Sequence, residues 1–139
     1  MNVDALNKDL SQLVEKKIAL SHLTYNDDQY DLIEEELHDL EDDLVEKYGD
    51  HLEDMLADVH DELCPDNDVL LPIAYIANGY EKLEQNGATT YRATSGGVIV
   101  DVDEYPKQLT RLVLVPAPAR LVLQVGQKNE EVVWKAEQG

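Results

Sequence analysis

The residues whose types and spacing could do chemistry crowd into positions 34–44, which read EEELHDLEDDL. Within them, Glu35 and His38 have the Glu-x-x-His spacing that places two metal ligands on one face of a helix. A di-iron carboxylate bundle needs two such motifs and two further helices that supply glutamates, whereas this sequence has one copy. We therefore interpret the stretch as a solvated helix face on which His38 lies one turn from Asp42, and we expect no metal and no cofactor.

The other histidines and the single cysteine do not form a metal-binding pattern in the sequence. His38, His51 and His60 are separated by 13 and 9 residues, which on one helix points them in different directions. His60 and Cys64 have the i, i+4 spacing of a two-ligand zinc half-site, but a structural zinc site needs four ligands and the sequence offers no second pair. Cys64 precedes Pro65, and we expect it to be a small apolar residue at a helix end.

The sequence patterns of the common enzyme classes are missing as well. There is no glycine-rich phosphate loop and no nucleophile elbow, and the carboxylates between residues 27 and 63 are too numerous to single out a catalytic pair. We favour a protein without enzymatic activity. The alternative is an enzyme or small-ligand binder with a pocket between sheet and helices, lined by Tyr80, Tyr91 or Arg92.

The acidic residues are concentrated in one part of the chain. The net charge is −19, and residues 27–68 hold nineteen acids against one base, whereas the segments on either side are nearly neutral. This balance argues against binding to nucleic acid through phosphate contacts, because that mode needs Lys and Arg to replace counterions. A basic protein partner is the alternative that the charge favours. Acidic chaperones, immunity proteins and nucleic-acid mimics are similar to this chain in size and charge alone.

Apolar residues recurring at intervals of three and four predict two helices. The first covers residues 3–20, and Asn26 or Asp27 is expected to cap the second. The apolar stripe of the second helix runs unbroken over residues 30–63, although residues 49–53, GDHLE, offer a helix stop followed by a new cap. The unbroken stripe favours one continuous helix, about 55 Å long, that turns back on the first.

Short β-rich segments follow the second helix. Five of them are separated by Gly, Pro and Asn turn residues and lie at 88–93, 97–102, 111–115, 120–125 and 131–136. Residues 69–84 fit either a hairpin that reverses at Asn78–Gly79 or a helix that begins after Pro72. We favour the strands.

The sequence therefore predicts an α+β fold. An N-terminal antiparallel helical hairpin, whose second helix is long and acidic, occupies residues 1–64. After a linker at 65–68, a C-terminal antiparallel β-meander of about five to seven strands occupies residues 69–139. The two regions either stand apart or share one core.

Two apolar surfaces are larger than the neighbouring predicted elements can cover. The second helix outruns the first, so the apolar residues of its second half need either the C-terminal region or a second copy of the chain. Residues 112–125 carry apolar side chains on both faces of two strands, so the sheet must curl or a partner must cover it. The candidate interaction surface combines these apolar residues with residues of the acidic helix: Glu34, Glu35, His38, Asp42, Met55, Val59, Val113, Val115, Val122 and Trp134.

These patterns favour a non-enzymatic protein–protein interaction or assembly module that dimerises through the helical hairpin. The alternatives are capture of a basic partner by the acidic helix and the small-ligand pocket described above. We expect no secretory signal, since the first twenty residues carry six charges, and no membrane span, since the longest apolar run, 69–77, contains Pro72. A cytoplasmic location is expected.

Overall fold

The computed structural model describes residues 2–137, and two helices form its N-terminal part. Helix α1 spans Val3–Ser21 and helix α2 spans Tyr30–Leu63, and the two pack against each other as a hairpin. Asn2 is the N-cap of α1, because its side-chain oxygen accepts the backbone N–H of Ala5 at 3.0 Å. No helix in residues 2–137 combines the length and the apolar character needed to cross a bilayer.

Helix α2 continues through Gly49, as the unbroken apolar stripe predicts. A glycine inside a helix costs about 1 kcal/mol relative to alanine. Beyond it, Leu52, Met55, Leu56 and Val59 are all buried, and their burial outweighs that cost. The stop-and-cap alternative at residues 49–53 is therefore not adopted.

The start of α2 differs from the expected one. The helix begins at Tyr30 with Gln29 as its N-cap, and no side chain makes the capping hydrogen bond. Asp27, one of the two expected caps, accepts the N–H of Gln29 at 2.9 Å within the preceding turn. The aspartate is thus committed to a local turn, which delays the helix by about one turn.

Six strands follow a short 3₁₀ turn at Pro72–Tyr75. Their bounds are β1 Ala77–Gln85, β2 Ala88–Gly96, β3 Val98–Val100, β4 Thr110–Val115, β5 Arg120–Val125 and β6 Asn129–Lys135. β1 and β2 form a two-stranded antiparallel sheet, and β3 to β6 form a four-stranded antiparallel sheet in sequence order. The predicted fold class, a helical hairpin followed by antiparallel strands, is confirmed.

Residues 69–84 contain one strand and not the hairpin that we favoured. β1 runs through Asn78–Gly79, where the register shifts and Gly79 pairs with Ser95. The chain reverses instead at Asn86–Gly87, where both residues have positive φ, 53° and 79°. Because β1 pairs with β2 over its whole length, the turn falls at the second of the two Asn-Gly pairs.

The first face of the four-stranded sheet packs on the helices. Leucines of β4 and β5 alternate toward this face in register, since Leu112 pairs with Leu123 and Leu114 with Leu121. Leu114 and Trp134 surround a small space together with leucines of both helices, namely Leu6, Leu10, Leu44 and Leu52. The sheet and the hairpin therefore meet in one apolar layer.

The second face of the same sheet is covered by β2. The side chains of Arg120 and Gln124, which point to this face, donate hydrogen bonds to the carbonyl oxygens of Tyr91 and Ala93, both at 3.0 Å. Three valines on this side are buried within the chain: Val113, Val115 and Val122. The β1–β2 hairpin takes the place of the curled sheet or partner that the sequence suggested.

Helices and strands share one hydrophobic core. Their buried apolar residues form a single cluster, and the second half of α2 contributes Met55, Leu56 and Val59 to it. This half packs against the 3₁₀ turn and the sheet. The apolar stripe on which the expectation of a dimer depended is therefore covered within one chain.

The chain crosses from one sheet to the other at Gly96–Gly97. Both glycines have a φ of 91°, which L side chains rarely adopt. A Cβ at Gly97 would also lie 2.6 Å from Cγ2 of Val113 and 2.9 Å from the carbonyl oxygen of Leu112. Only glycine fits this crossing, which seats β2 directly against β4.

Candidate interaction surface

Helix α2 carries a straight row of carboxylates on the side that faces away from the core. We call this row the acidic ridge, and its members are Glu35, Asp39, Asp42, Glu46, Asp50 and Glu53. Successive members are three or four residues apart, so they lie on one face over about 27 Å of helix. All six are exposed.

The ridge carboxylates have no cationic partner within residues 2–137. The ion pairs of α2 with α1 use other residues, since Lys16 pairs with Glu36 and Lys47 lies 3.7 Å from Asp9. The remaining pairs join His38 to Glu41 within α2, Lys82 to Glu15, and Arg92 to acids of the strands. The negative charge of the ridge is therefore screened by solvent ions alone, and it creates a strong local potential.

A groove of about 590 Å³ lies on a different side of α2, between the second half of this helix and β6. We call it the α2–β6 groove. Its apolar wall consists of Leu52, Met55 and Val59 from α2 with Val133 and Trp134 from β6. Its rim is polar and mostly acidic, with His51, Asp58, Glu62, Lys135 and Glu137. The three α2 residues are buried at the floor of the groove, so the half-buried Val133 and Trp134 supply most of its accessible apolar surface. An apolar patch inside a charged rim has the arrangement of a protein-binding site.

The groove runs beside an open sheet edge. β6 pairs with β5 alone among residues 2–137, and most of its side chains are exposed, including Val132 at 55%. The pairing with β5 is irregular at Val133, because Leu121 pairs with Trp134 and the next residue, Val122, pairs with Val132. This β-bulge turns Val133 and Trp134 toward the groove.

The residues expected to form one interaction surface lie in three places. Glu35, His38 and Asp42 are exposed on α2, with Glu34 half-buried beside them. Met55, Val59 and Trp134 come together in the α2–β6 groove. Three residues face the interior and offer no surface in this chain: Val113, Val115 and Val122.

His60 and Cys64 belong to a closed hydrogen-bond cluster. His60 is 2% exposed, its Nε2 lies 2.7 Å from the Tyr75 hydroxyl, and its Nδ1 lies 3.1 Å from the carbonyl oxygen of Asn67. The hydroxyl also accepts the N–H of Leu70 at 3.1 Å. Because the Asn67 carbonyl oxygen can only accept, Nδ1–H donates to it, and Nε2 of this tautomer accepts the proton of the Tyr75 hydroxyl.

Both ring nitrogens of His60 are thus occupied in holding the segment after α2, which leaves neither free for a zinc ion. The Cys64 sulfur is buried at 3.6 Å from Nδ1, and burial raises the pKa of this thiol. No group of three or more His, Cys, Asp and Glu side chains within residues 2–137 is arranged to hold a metal ion.

The tyrosines expected around a ligand pocket serve as structural hydrogen-bond donors and acceptors. The Tyr80 hydroxyl accepts the N–H of Ala77 at 2.8 Å and donates to the carbonyl oxygen of Leu114 at 2.7 Å, and burial raises its pKa. The Tyr91 hydroxyl donates to Glu15 of α1. These bonds fasten the β1–β2 hairpin to the four-stranded sheet and to α1.

Two tyrosine–carboxylate pairs hold α1 in place. Burial, followed by the Glu15 carboxylate, raises the pKa of Tyr91 to about 12, and the hydrogen bond from Tyr91 lowers the pKa of Glu15. On another face of α1, the Tyr48 hydroxyl donates to Asp9 at 2.8 Å. Burial and this contact raise the pKa of Tyr48 to about 12. The raised tyrosine pKa values therefore mark contacts that hold α1 against α2 and β2.

The third residue of the expected ligand pocket, Arg92, lies in a shallow depression of about 330 Å³ beside Arg111 and Gln124. Its guanidinium is paired with Glu81 at 3.3 Å and with Glu130 at 3.8 Å. The depression is separate from the buried hydroxyls of Tyr80 and Tyr91. The structure therefore does not bring the three residues together in one pocket.

The sequence analysis includes Met55, Val59 and Trp134 in one candidate surface, but it does not predict the groove that they line. Met55 and Trp134 are 79 positions apart, and only the tertiary packing of α2 against β6 makes them neighbours. Two features of the sequence weakly indicate this groove: the single tryptophan in the last β-rich segment, and an apolar stripe on α2 that is longer than α1 could cover.

Comparison with known proteins gave no match: no protein-family model, no curated protein and no solved structure is similar to this chain.

Proposed function

We propose that this chain is a non-enzymatic interaction protein that binds a basic protein partner along the acidic ridge. The observation that supports the proposal is the ridge itself, six exposed carboxylates in line on one continuous helix that form no ion pair with any residue in 2–137. The strand region is close to electrically balanced, because residues 69–139 hold eight acids and seven bases, whereas residues 27–68 hold nineteen acids and one base. A cationic partner is therefore attracted to the helix that carries the ridge more strongly than to the strands.

A ridge on a single rigid helix suits recognition at the scale of a protein surface. Its length of about 27 Å matches about eight residues of an extended basic segment or about five turns of a basic helix. Charge complementarity of this kind accelerates association and depends steeply on salt. A cytoplasmic location belongs to the same proposal.

The test compares two variants that carry the same charge change. The ridge variant replaces Asp39, Asp42 and Asp50 with asparagine, and the control variant replaces Asp66, Asp68 and Asp103 with asparagine. The probe is a peptide of alternating lysine and glycine, labelled for fluorescence anisotropy, about twelve residues long so that it can span the ridge. All six aspartates are exposed, so both variants should keep the fold.

We expect the ridge variant to bind the peptide at least about tenfold more weakly than the control variant, and binding to disappear at about 0.5 M salt. Equal losses in the two variants would mean that only total charge matters. That result would overturn the proposal, and so would binding of natural partners that persists in high salt.

Self-association through the helical hairpin is the second candidate function. This candidate is supported by two exposed apolar residues of α2 that a second copy could cover. They are Leu32, which is 51% exposed, and Val45, which is 36% exposed. The charge of the helix opposes it, because a second copy brings the same acidic face. Light scattering at micromolar concentration decides, since a clean monomer mass would exclude this candidate.

A further inference from the structure

The α2–β6 groove is a second surface, separate from the acidic ridge, with the features of a peptide-binding site. We propose that it binds an extended segment of another protein, with alternating apolar residues and flanking Lys or Arg, which adds as a strand to the open edge of β6. The proposal goes beyond electrostatic capture by the ridge, because it requires main-chain pairing and apolar contact.

The sheet edge supplies the main-chain part of this site. β6 is the last strand of the four-stranded sheet and pairs with β5 alone among residues 2–137. The N–H and C=O groups of its outer side are therefore free for a further strand. A segment that adds here continues the antiparallel order β3-β4-β5-β6 by one strand, the recurrent mode of recognition by strand addition.

The groove supplies the side-chain part. An added strand lies about 4.8 Å from β6, and every second side chain points to the same face as Trp134. That face meets α2, where Met55 and Val59 line the groove. The volume of about 590 Å³ accommodates several aliphatic side chains. Apolar residues at alternate positions of the segment therefore have a defined place, and polar residues between them face solvent.

The charges of the rim select the occupant. Asp58, Glu62 and Glu137 stand at the rim against Lys135 and His51, and the adjoining helix carries the acidic ridge on its outer side. Lys or Arg at the ends of the segment pair with these carboxylates. A second copy of this chain is a poor occupant, because each copy carries a net charge of −19 and its own β6 contains Glu130 and Glu131.

The chain carries its own reporter for the groove. Trp134 is the single tryptophan of the sequence, it is only half-buried, and it lines the groove. A strand that covers its ring moves it into a drier environment, which shifts tryptophan emission to shorter wavelength. Binding at the acidic ridge, on another face of α2, leaves this emission unchanged.

The experiment titrates the intact chain with a synthetic peptide, acetyl-Lys-Lys-Val-Thr-Val-Thr-Val-Lys-Lys-amide, and follows Trp134 emission. Two further peptides carry N-methyl groups on the three valines only or on the two threonines only, and each therefore lacks the central N–H donors of one strand edge. A rim variant, Asp58→Lys with Glu62→Lys, is compared with Asp28→Lys with Asp31→Lys. The second pair makes the same charge change in the first turn of α2 and just before it, far from the groove, and all four residues are exposed.

We expect a shift of Trp134 emission to shorter wavelength with the parent peptide and with one of the two methylated peptides, and at least about a tenfold loss with the other. The rim variant should weaken binding about tenfold relative to its matched control. The ridge variant of the preceding section should still give the full shift.

The outcomes separate this proposal from the one about the ridge. Salt-sensitive peptide binding without any change in Trp134 emission would overturn strand addition and leave capture by the ridge standing. Equal behaviour of the two methylated peptides would also overturn it. A shift that grows with protein concentration in the absence of peptide, together with a dimer mass, would assign the groove to a second copy and contradict the proposed occupant.

Discussion

The two edges of the four-stranded sheet end in different ways. On the β3 side, the segment after α2 closes the sheet, since the Asn67 side chain accepts the N–H of Asp101 at 2.7 Å and Ile76 pairs with Leu114 beyond the end of β3. On the β6 side, no strand within residues 2–137 pairs with the outer edge. Both β3 and β6 are terminal strands of this sheet, but the chain covers the β3 side beyond both ends of that short strand, whereas the β6 side offers its main-chain groups to solvent or to a partner.

The difference shows where this fold uses buried polar groups. Closing the β3 side depends on His60 and Tyr75, which hold the segment after α2, and on Tyr80, which binds the Leu114 carbonyl. The β6 side has no comparable buried polar anchor among the described residues and carries exposed charges instead. Substitutions should therefore unfold the molecule from the closed side and change binding at the open side.

The largest expected effect follows from removing the anchor of the closing segment. His60→Ala deletes a fully buried ring and leaves the Tyr75 hydroxyl and the Asn67 carbonyl without partners. We expect the free energy of unfolding to fall by about 3 kcal/mol, measured by urea denaturation. His38→Ala, at an exposed position of the same helix, should change it by less than about 0.5 kcal/mol. A loss below about 1 kcal/mol for His60→Ala would show that the cluster does not hold the segment.

A somewhat smaller loss is expected at the contact between the hairpin and the sheet. Tyr80→Phe keeps the ring but removes the hydroxyl that bonds both Ala77 N–H and the Leu114 carbonyl. Two buried main-chain groups lose a partner, so the free energy of unfolding should fall by about 2 kcal/mol. Tyr25→Phe is the control, because Tyr25 is 85% exposed. Equal thermal melting of the two variants would contradict the role assigned to Tyr80.

The free energy of unfolding should depend moderately on pH in the alkaline range. The pKa values of Tyr48 and Tyr91 are raised from 10.0 to about 12 in the folded chain. A raised pKa gives stability that is fully present below pH 10 and is lost as the pH rises through about 12. Urea denaturation between these pH values should show a progressive loss in the parent chain.

The variant Tyr91→Phe should lose stability at neutral pH and then show a weaker alkaline decline. In the parent chain, the lowered pKa of Glu15 gives stability that is fully present above pH 4.5 and is lost as the pH falls through the pKa of Glu15 in the folded chain. Tyr91→Phe should therefore also lose less stability than the parent chain at acid pH. If the alkaline decline of Tyr91→Phe equals that of the parent, the hydrogen bond to Glu15 is not its source.

The smallest stability effect is expected at the open edge. Val132 on β6 pairs with Val122 on β5, and the two differ in exposure, 55% against 3%. Val132→Thr should change the free energy of unfolding by less than about 0.5 kcal/mol, whereas Val122→Thr should cost about 1 to 3 kcal/mol. Comparable losses at both positions would show that β6 is covered in solution and would contradict the comparison of edges.

Much of the fold is predictable because it depends on local periodicity. The stripe from Tyr30 to Leu63 predicts a continuous helix through Gly49, since a single glycine costs less than the burial beyond it gains. The five strands β2 to β6 overlap the five predicted segments for the same reason. The turn at Asn86–Gly87 is harder to predict, because the sequence contains two Asn-Gly pairs that each fit a hairpin turn. The pairing of β1 with β2 over its whole length places the turn at the second pair.

Other features depend on which surfaces meet, and sequence periodicity does not contain that information. Val113, Val115 and Val122 are apolar on a face that could have been external, and only the crossing at Gly96–Gly97 brings β2 over them. The α2–β6 groove has the same origin. Its residues from α2 and from β6 could each be predicted as apolar, but their meeting is a tertiary contact.

The crossing at Gly96–Gly97 also determines where this chain can be lengthened. Two residues carry it from one sheet to the other, and any inserted residue there would move β2 away from β4 and expose the valines between them. The turn at Gln127–Lys128, by contrast, is exposed and joins neighbouring strands of one sheet. A tag or a circularly permuted terminus belongs at that turn, and not at the paired glycines.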